Sequence, residues 1–207
     1  VVLLQNCTFS RLTSPILSAG LNLRAESAQV TLDGVTFSEC YANQSSGAFF
    51  QVIGTNLTIV NSVFDKCQAN NGTVGLYNIS NGGAVMLSVS DNATVLVKDT
   101  VFSNNLSAWK GGALYGSIVG SAITWINVTV ANNTALLDDG GGINLKVYNG
   151  STFTMSNSSF LLNNASGTTK NNGGGLYIEC ESQSVCHTEY TRFEQNTAGK
   201  HGSGIKT

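Results

Sequence analysis

Charge is scarce in this chain of 207 residues. Asp, Glu, Lys and Arg together make up 11% of it, against about 25% in an ordinary globular domain. The net charge is −2, with no basic or acidic run. Nucleic acid is therefore excluded as a partner, because its phosphates need clustered Lys and Arg. Proline is nearly absent, with Pro15 alone, so turns must be made by Gly and Asn. No apolar stretch reaches the roughly 18 residues that a membrane-spanning helix requires. No signal peptide is recognisable, and Val1 already lies in a strand-like run, which suggests that the native N-terminus lies elsewhere or was removed. There is no C-x-x-C pair, and His187 and His201 stand alone, so neither a metal nor another cofactor is expected.

What the chain does have is apolar residues (42%), 23 glycines and a repeat. A block of three small residues and an apolar one recurs seven times. It reads Ser18-Ala19-Gly20-Leu21, Ser46-Gly47-Ala48-Phe49, Gly82-Gly83-Ala84-Val85 and Gly111-Gly112-Ala113-Leu114, then Gly140-Gly141-Gly142-Ile143, Gly173-Gly174-Gly175-Leu176 and Gly202-Ser203-Gly204-Ile205. A second marker runs in phase with it: an apolar residue followed three positions later by Asn or Cys. The pairs are Phe37 and Cys40, Phe64 and Cys67, Phe102 and Asn105, Val130 and Asn133, Phe160 and Asn163, Phe193 and Asn196. Phe9 opens the series with Leu12 in the fourth place. Between the markers apolar residues alternate, as in Val85, Leu87 and Val89, or Val95 and Val97. Alternation of period two means strands with one buried face.

A rung of about 28 residues cannot bury its own apolar face and must stack on its neighbours. Rungs about 4.8 Å apart pair every strand with its own copy. Like positions then form columns, and the Gly block marks a tight corner. The fold predicted is all-β: a right-handed parallel β-helix of about seven rungs, residues 1–207 forming one domain. Two longer repeat intervals predict loops near 67–81 and near 164–172, the second alternatively around Glu181 to Val185.

The paired markers resemble the polymorphic outer-membrane-protein repeat of bacterial autotransporter adhesins. The broader resemblance is to β-helices of the pectin-lyase-like superfamily. Phe102 through Asn105 with Gly111 through Leu114, and Phe160 through Asn163 with Gly173 through Leu176, carry it. The resemblance implies a passenger displayed outside the cell, often for adhesion. The chain departs from that pattern in its twelve N-x-S/T sequons and in having no membrane barrel after the repeats, which suggests a eukaryotic surface glycoprotein with the same repeat.

Glycans are expected at Asn6, Asn43, Asn56, Asn71, Asn78, Asn92, Asn127, Asn132, Asn149, Asn157 and Asn164. The twelfth sequon, at Asn105, should be bare, because Asn105, Asn133, Asn163 and Asn196 are expected to form a buried ladder. Cys40 and Cys67 share one column in adjacent rungs, so a disulfide is expected between them. A second is expected to close the loop between Cys180 and Cys186. Cys7 has no evident partner.

Enzymatic polysaccharide cleavage would rest on Asp138-Asp139, the one acidic pair. Inverting hydrolysis needs carboxylates roughly 6.5 to 9.5 Å apart, and a pair before a Gly corner reads better as turn residues. The expected function is an extracellular structural subunit. The chain begins and stops within strands without visible caps, which suggests a window of a longer solenoid or head-to-tail stacking of copies into a fibre. The alternative is an adhesin or glycan-binding module. Its exposed aromatic candidates, Tyr77, Tyr115, Tyr148 and Trp109, do not share a position in the repeat.

Overall fold

A computed structural model describes residues 1–44, 47–70, 80–167, 171–181 and 183–207. Among the described residues every regular element is a β-strand and every strand pairing is parallel. Three sheets form the walls of a solenoid of seven turns. The first wall is a 12-stranded sheet, bent along its length. In most rungs a left-handed residue splits its strand in two, as between Val30–Asp33 and Thr36–Ser38. Further along, single strands Thr94–Ser103 and Ala122–Ala131 run through the bend. The second wall has seven strands of two residues each, from Thr13–Ser14 to Thr197–Ala198. The third has seven longer strands, from Leu21–Glu26 to Ile205–Lys206.

The apolar alternation read from the sequence is the burial pattern of these strands. Val95, Val97 and Phe102 are buried, as are Ile123, Trp125 and Val130 in the next rung. Phe9, Phe37, Phe64 and Phe102 stack ring on ring, with centroids 4.7, 4.9 and 4.8 Å apart. The stack breaks at Val130. In that rung the bulk moves to Trp125, whose ring lies 5.7 Å from that of Phe102. The Phe column resumes with Phe160 and Phe193, 4.8 Å apart. Volume is thus conserved within the rung rather than at one position, which close packing demands.

Corners are set by backbone chirality. The residue three before each Phe has positive φ throughout: Asn6, Gly34, Asn61, Asp99, Asn127, Asn157 and Tyr190. So has the residue two after it, from Arg11 to Gln195. Asn is among the few residues that adopt this region readily. In the Gly block the first glycine turns the chain (Gly111 has φ +63°), and the second packs against the next rung. A Cβ on Gly112 would lie 2.0 Å from the carbonyl oxygen of Gly141.

Two expectations need correction here. In the second rung Ala48, not Phe49, pairs with Val85 and with Leu21. The block is therefore shifted by one residue from Ser46-Gly47-Ala48-Phe49. Phe50 is buried as a result and Phe49 faces outward, because a one-residue slip exchanges the two faces of a strand. The second correction concerns extra length. Cys180–Val185 spans as many residues as Val147–Thr152, its partner in the rung before. No insertion lies there. The added residues fall between the short second-wall strand and the third wall, after Asn164–Ala165 and after Gln68–Ala69. Most of the loop near 67–81 and part of that near 164–172 lie outside the described residues.

Candidate functional site

The column three after each Phe holds the buried polar chemistry of the solenoid. Asn105, Asn133, Asn163 and Asn196 lie one above another. Each Nδ2 donates to the carbonyl of the Phe-column residue one rung back: Asn105 to Phe64, Asn133 to Phe102, Asn163 to Val130 and Asn196 to Phe160, at 2.8 to 3.0 Å. The Oδ1 of Asn133, Asn163 and Asn196 each accepts from the backbone N–H and the amide of the Asn below, as Asn133 does from Asn105. Buried amides are costly unless satisfied, and here the ladder satisfies them.

Cys40 and Cys67 occupy the same column, and both are free thiols. The expected disulfide between them is not present. Column geometry explains this: stacked residues point their Cβ atoms in parallel, and bridging needs Cβ atoms that converge, not merely Cα atoms in range. Each sulfur instead makes the contact that an amide makes further along, Cys40 Sγ to Phe9 O at 3.6 Å and Cys67 Sγ to Phe37 O at 3.8 Å. Cys67 N donates to Asn105 Oδ1, joining the thiols to the ladder. The hydrogen bond to Cys40, together with burial, raises the Cys67 thiol above its ordinary value, and the same bond draws Cys40 down to about 7. Cys180 and Cys186 are bonded to each other. Cys7 is a half-buried free thiol that donates to Gln5 O.

The sequons fall largely on corners. Asn6, Asn92, Asn127, Asn132, Asn149 and Asn157 all have positive φ and are exposed, and Asn56 is exposed at a strand start. Asn43 and Asn164 are half-buried, and their side chains are engaged with Pro15 O and the Thr197 hydroxyl. Asn71 and Asn78 lie outside the described residues. Left-handed corners select Asn for conformational reasons, so many of these sequons have a structural origin whether or not sugars are attached.

The third wall presents the surface that can meet a partner. Its register aligns Phe49, Met86, Tyr115, Asn144 and Tyr177 in one column on the outer face, of which Asn144 is fully buried and the other four are half-buried. Tyr115 thus shares its column with other large side chains, though not with Tyr148 or Trp109, as the repeat positions implied. Phe49 was missed through the one-residue slip, and Tyr177 through not being considered. Tyr148 lies four residues along from Asn144 in the same strand, Trp109 is at a corner, and Tyr77 lies outside the described residues. Beside the column, Lys146 Nζ sits 3.5 Å from Glu179 Oε2 and 6.0 Å from the Tyr148 ring centre, while the Tyr148 hydroxyl donates to Glu179. Burial works against the Lys146 charge, but Tyr148 and Glu179 hold its pKa above the ordinary value. Burial raises Tyr177, and the carboxylates of Asp139 and Glu179 add to it.

Asp138 and Asp139 lie at the leading corner of this wall and are buried, at 1% and 5% exposure. Asp138 pairs with Lys110 and accepts from Asp139 N. Asp139 accepts from the backbone and side chain of Asn172. They are more than the turn residues read from the sequence, and their burial closes them to a polysaccharide. Among the described residues no three His, Cys, Asp or Glu side chains could hold a metal ion, and no helix is long and apolar enough to cross a membrane.

This geometry defines a parallel β-solenoid. Residues 99–117 match the family model of the Chlamydia polymorphic membrane protein repeat; they contain both Phe102 through Asn105 and Gly111 through Leu114. The chain is also 32% identical over 115 residues to a protein described as "Probable autotransporter YfaL" of Escherichia coli (strain K12). That match covers 53% of this chain and 9% of the relative, so the chain spans a small part of that protein. Neither description names a catalytic activity. No solved structure matches. Both similarities bear out the resemblance carried by the repeat.

Proposed function

We propose that the chain is a segment of an extended surface solenoid, displayed outside the cell, whose third wall is an adhesive face. The observation that carries this reading is the outward column of Phe49, Met86, Tyr115 and Tyr177 on a rigid sheet. Tyr offers a large, amphipathic contact area at low conformational cost, which is why it dominates binding hot spots. Polar groups at Ser88, Ser117, Lys146 and Glu179 run alongside, two residues on in each strand. Such a mixture suits a hydroxyl-rich extended glycan. The test is binding of the chain to immobilised glycans and to cells, with Tyr115→Ala and Tyr177→Ala compared with the exposed control Tyr190→Ala. Loss of binding in the first two alone supports the reading. Equal binding in all three sinks it.

The same proposal includes a structural role. The backbone ladder that joins rungs within the chain can join rungs of another copy, extending the solenoid head to tail into a fibre. N-glycans at the exposed sequons, Asn127 and Asn157 foremost, would solvate walls that have few charges. Electron microscopy of native material, with a mass comparison before and after glycosidase treatment, tests both points. Monomers whose mass does not change would remove them while leaving the adhesive face standing.

A further inference from the structure

We propose that Lys110 and Asp138 are a site of self-modification, joined by an intramolecular isopeptide bond that covalently staples two adjacent rungs. Lys110 immediately precedes Gly111, and Asp139 precedes Gly140, at the same corner one rung later. The Gly111 N–H donates to Asp139 O, which places these corners in direct contact. Lys110 Nζ lies 3.5 Å from Asp138 Oδ2, with side-chain exposures of 20% and 2%. An amine held against a buried carboxyl is already close to reacting geometry, and such positioning can replace effective concentrations of roughly 10⁵ M or more.

The third participant is Asp139. Burial holds its carboxyl above the ordinary range, against the hydrogen bonds from Asn172, and the Asp138 carboxylate pushes it further in the same direction. It adjoins Asp138, whose Oδ1 accepts from the Asp139 backbone N–H, and in this proposal it relays the proton from the Lys110 ammonium to the departing oxygen, as general acid–base catalysis requires. The neutral amine attacks Asp138 Cγ, forming the C–N bond. The C–O bond breaks, and the oxygen leaves as water with two of the three ammonium protons. The third proton stays on the amide nitrogen, and Asp139 ends as it began. No oxidant or further reactant is needed.

A second observation points the same way. Asn144 is fully buried, and its Nδ2 donates to Asp139 O, yet its Oδ1 has no donor. Asn172 Oδ1, on the other side of Asp139, also lacks one. A buried acceptor without a partner is costly, and the amide N–H made by the reaction is a donor in this corner.

The inference is independent of what the third wall binds, since it concerns only how the rungs are held. It is tested on the whole chain, expressed without glycans and reduced before measurement. The expected result is an intact mass lighter than the sequence by one water, with a branched peptide joining Lys110 to Asp138. Lys110→Arg and Asp138→Ala should each restore the full mass, and Asp139→Ala should slow or abolish the loss while both reacting groups remain. A full mass in the unmodified chain, with Lys110 open to amine labelling after denaturation, overturns the proposal. So does a water loss that persists in Lys110→Arg and maps to Asp139-Gly140, which would be a succinimide. The wild-type mass alone decides the matter if a variant fails to fold.

Discussion

One column of the solenoid is built in two chemistries. From Asn105 to Asn196 it is an amide ladder, in which each side chain bonds the rung on either side. From Cys40 to Cys67 it is a pair of thiols that reach the same kind of carbonyl, on Phe9 and Phe37, at 3.6 and 3.8 Å. Backbone register is the same in both halves. The difference lies in reciprocity. An amide both donates to the rung behind and accepts from it, whereas a thiol is a weak donor and a weak acceptor. Parallel stacking itself therefore does not need the ladder. The ladder adds cross-rung bonding, and in the equally buried thiol half a small, soft side chain fills the same space without it.

The contrast is broken most severely at the middle of the ladder. Asn133→Ala removes the donor to Phe102 O and the acceptor of both Asn105 N and Asn105 Nδ2. Leaving these groups buried and unpaired should cost about 3 to 5 kcal/mol. Urea unfolding of the variant against wild type measures it. Cys67→Ala should cost only about 1 to 2 kcal/mol, mostly lost packing of one buried sulfur, with little from its long hydrogen bonds. Equal losses at the two positions would mean that the column is stabilised by volume alone.

Much of this organisation is visible in the residues themselves. The Phe and Asn columns and the Gly corner recur often enough that their stacking follows from the repeat, and the inward alternation assigns the core. Three things resist reading. At Ala48-Phe49-Phe50 two adjacent aromatics fit either register, and only the pairing of Ala48 with Val85 decides between them. That slip hid the outward aromatic column, because Phe49 was given to the core. A shared column places Cys40 beside Cys67 without bonding them, and residue spacing alone does not separate a thiol pair from a disulfide. The contact of Lys110 with Asp138 joins two rungs and is invisible within either one. Its signal was present: Lys110 and Asp139 both stand just before the first glycine of consecutive blocks.

A gain is also available in the thiol half. Cys67→Asn places an amide where Asn105 Oδ1 already receives the backbone N–H of residue 67. The new Nδ2 can donate to Phe37 O and to Asn105 Oδ1, and the new Oδ1 can accept from the Cys40 backbone. The variant should be more stable by about 1 kcal/mol, the net value of a satisfied hydrogen bond less the cost of fitting a slightly larger group. A loss instead would show that the rungs around Phe37 and Phe64 are packed too closely for an amide, and that the two halves of the column differ in space as well as chemistry.

The smallest expected effect is on the thiols themselves. Cys40 and Cys67 are both fully buried, so a thiol reagent should leave them unmodified in the folded chain, even though the hydrogen bond from Cys67 draws Cys40 toward a thiolate. Reactivity needs access as well as charge. Cys7, half-buried, should label slowly. After unfolding without reductant, three thiols should label and two cysteines should not, because Cys180 and Cys186 are bonded. A count of one thiol would mean that Cys40 and Cys67 do oxidise to each other. The thiol half of the column would then be a covalent link between rungs rather than a soft substitute for the ladder.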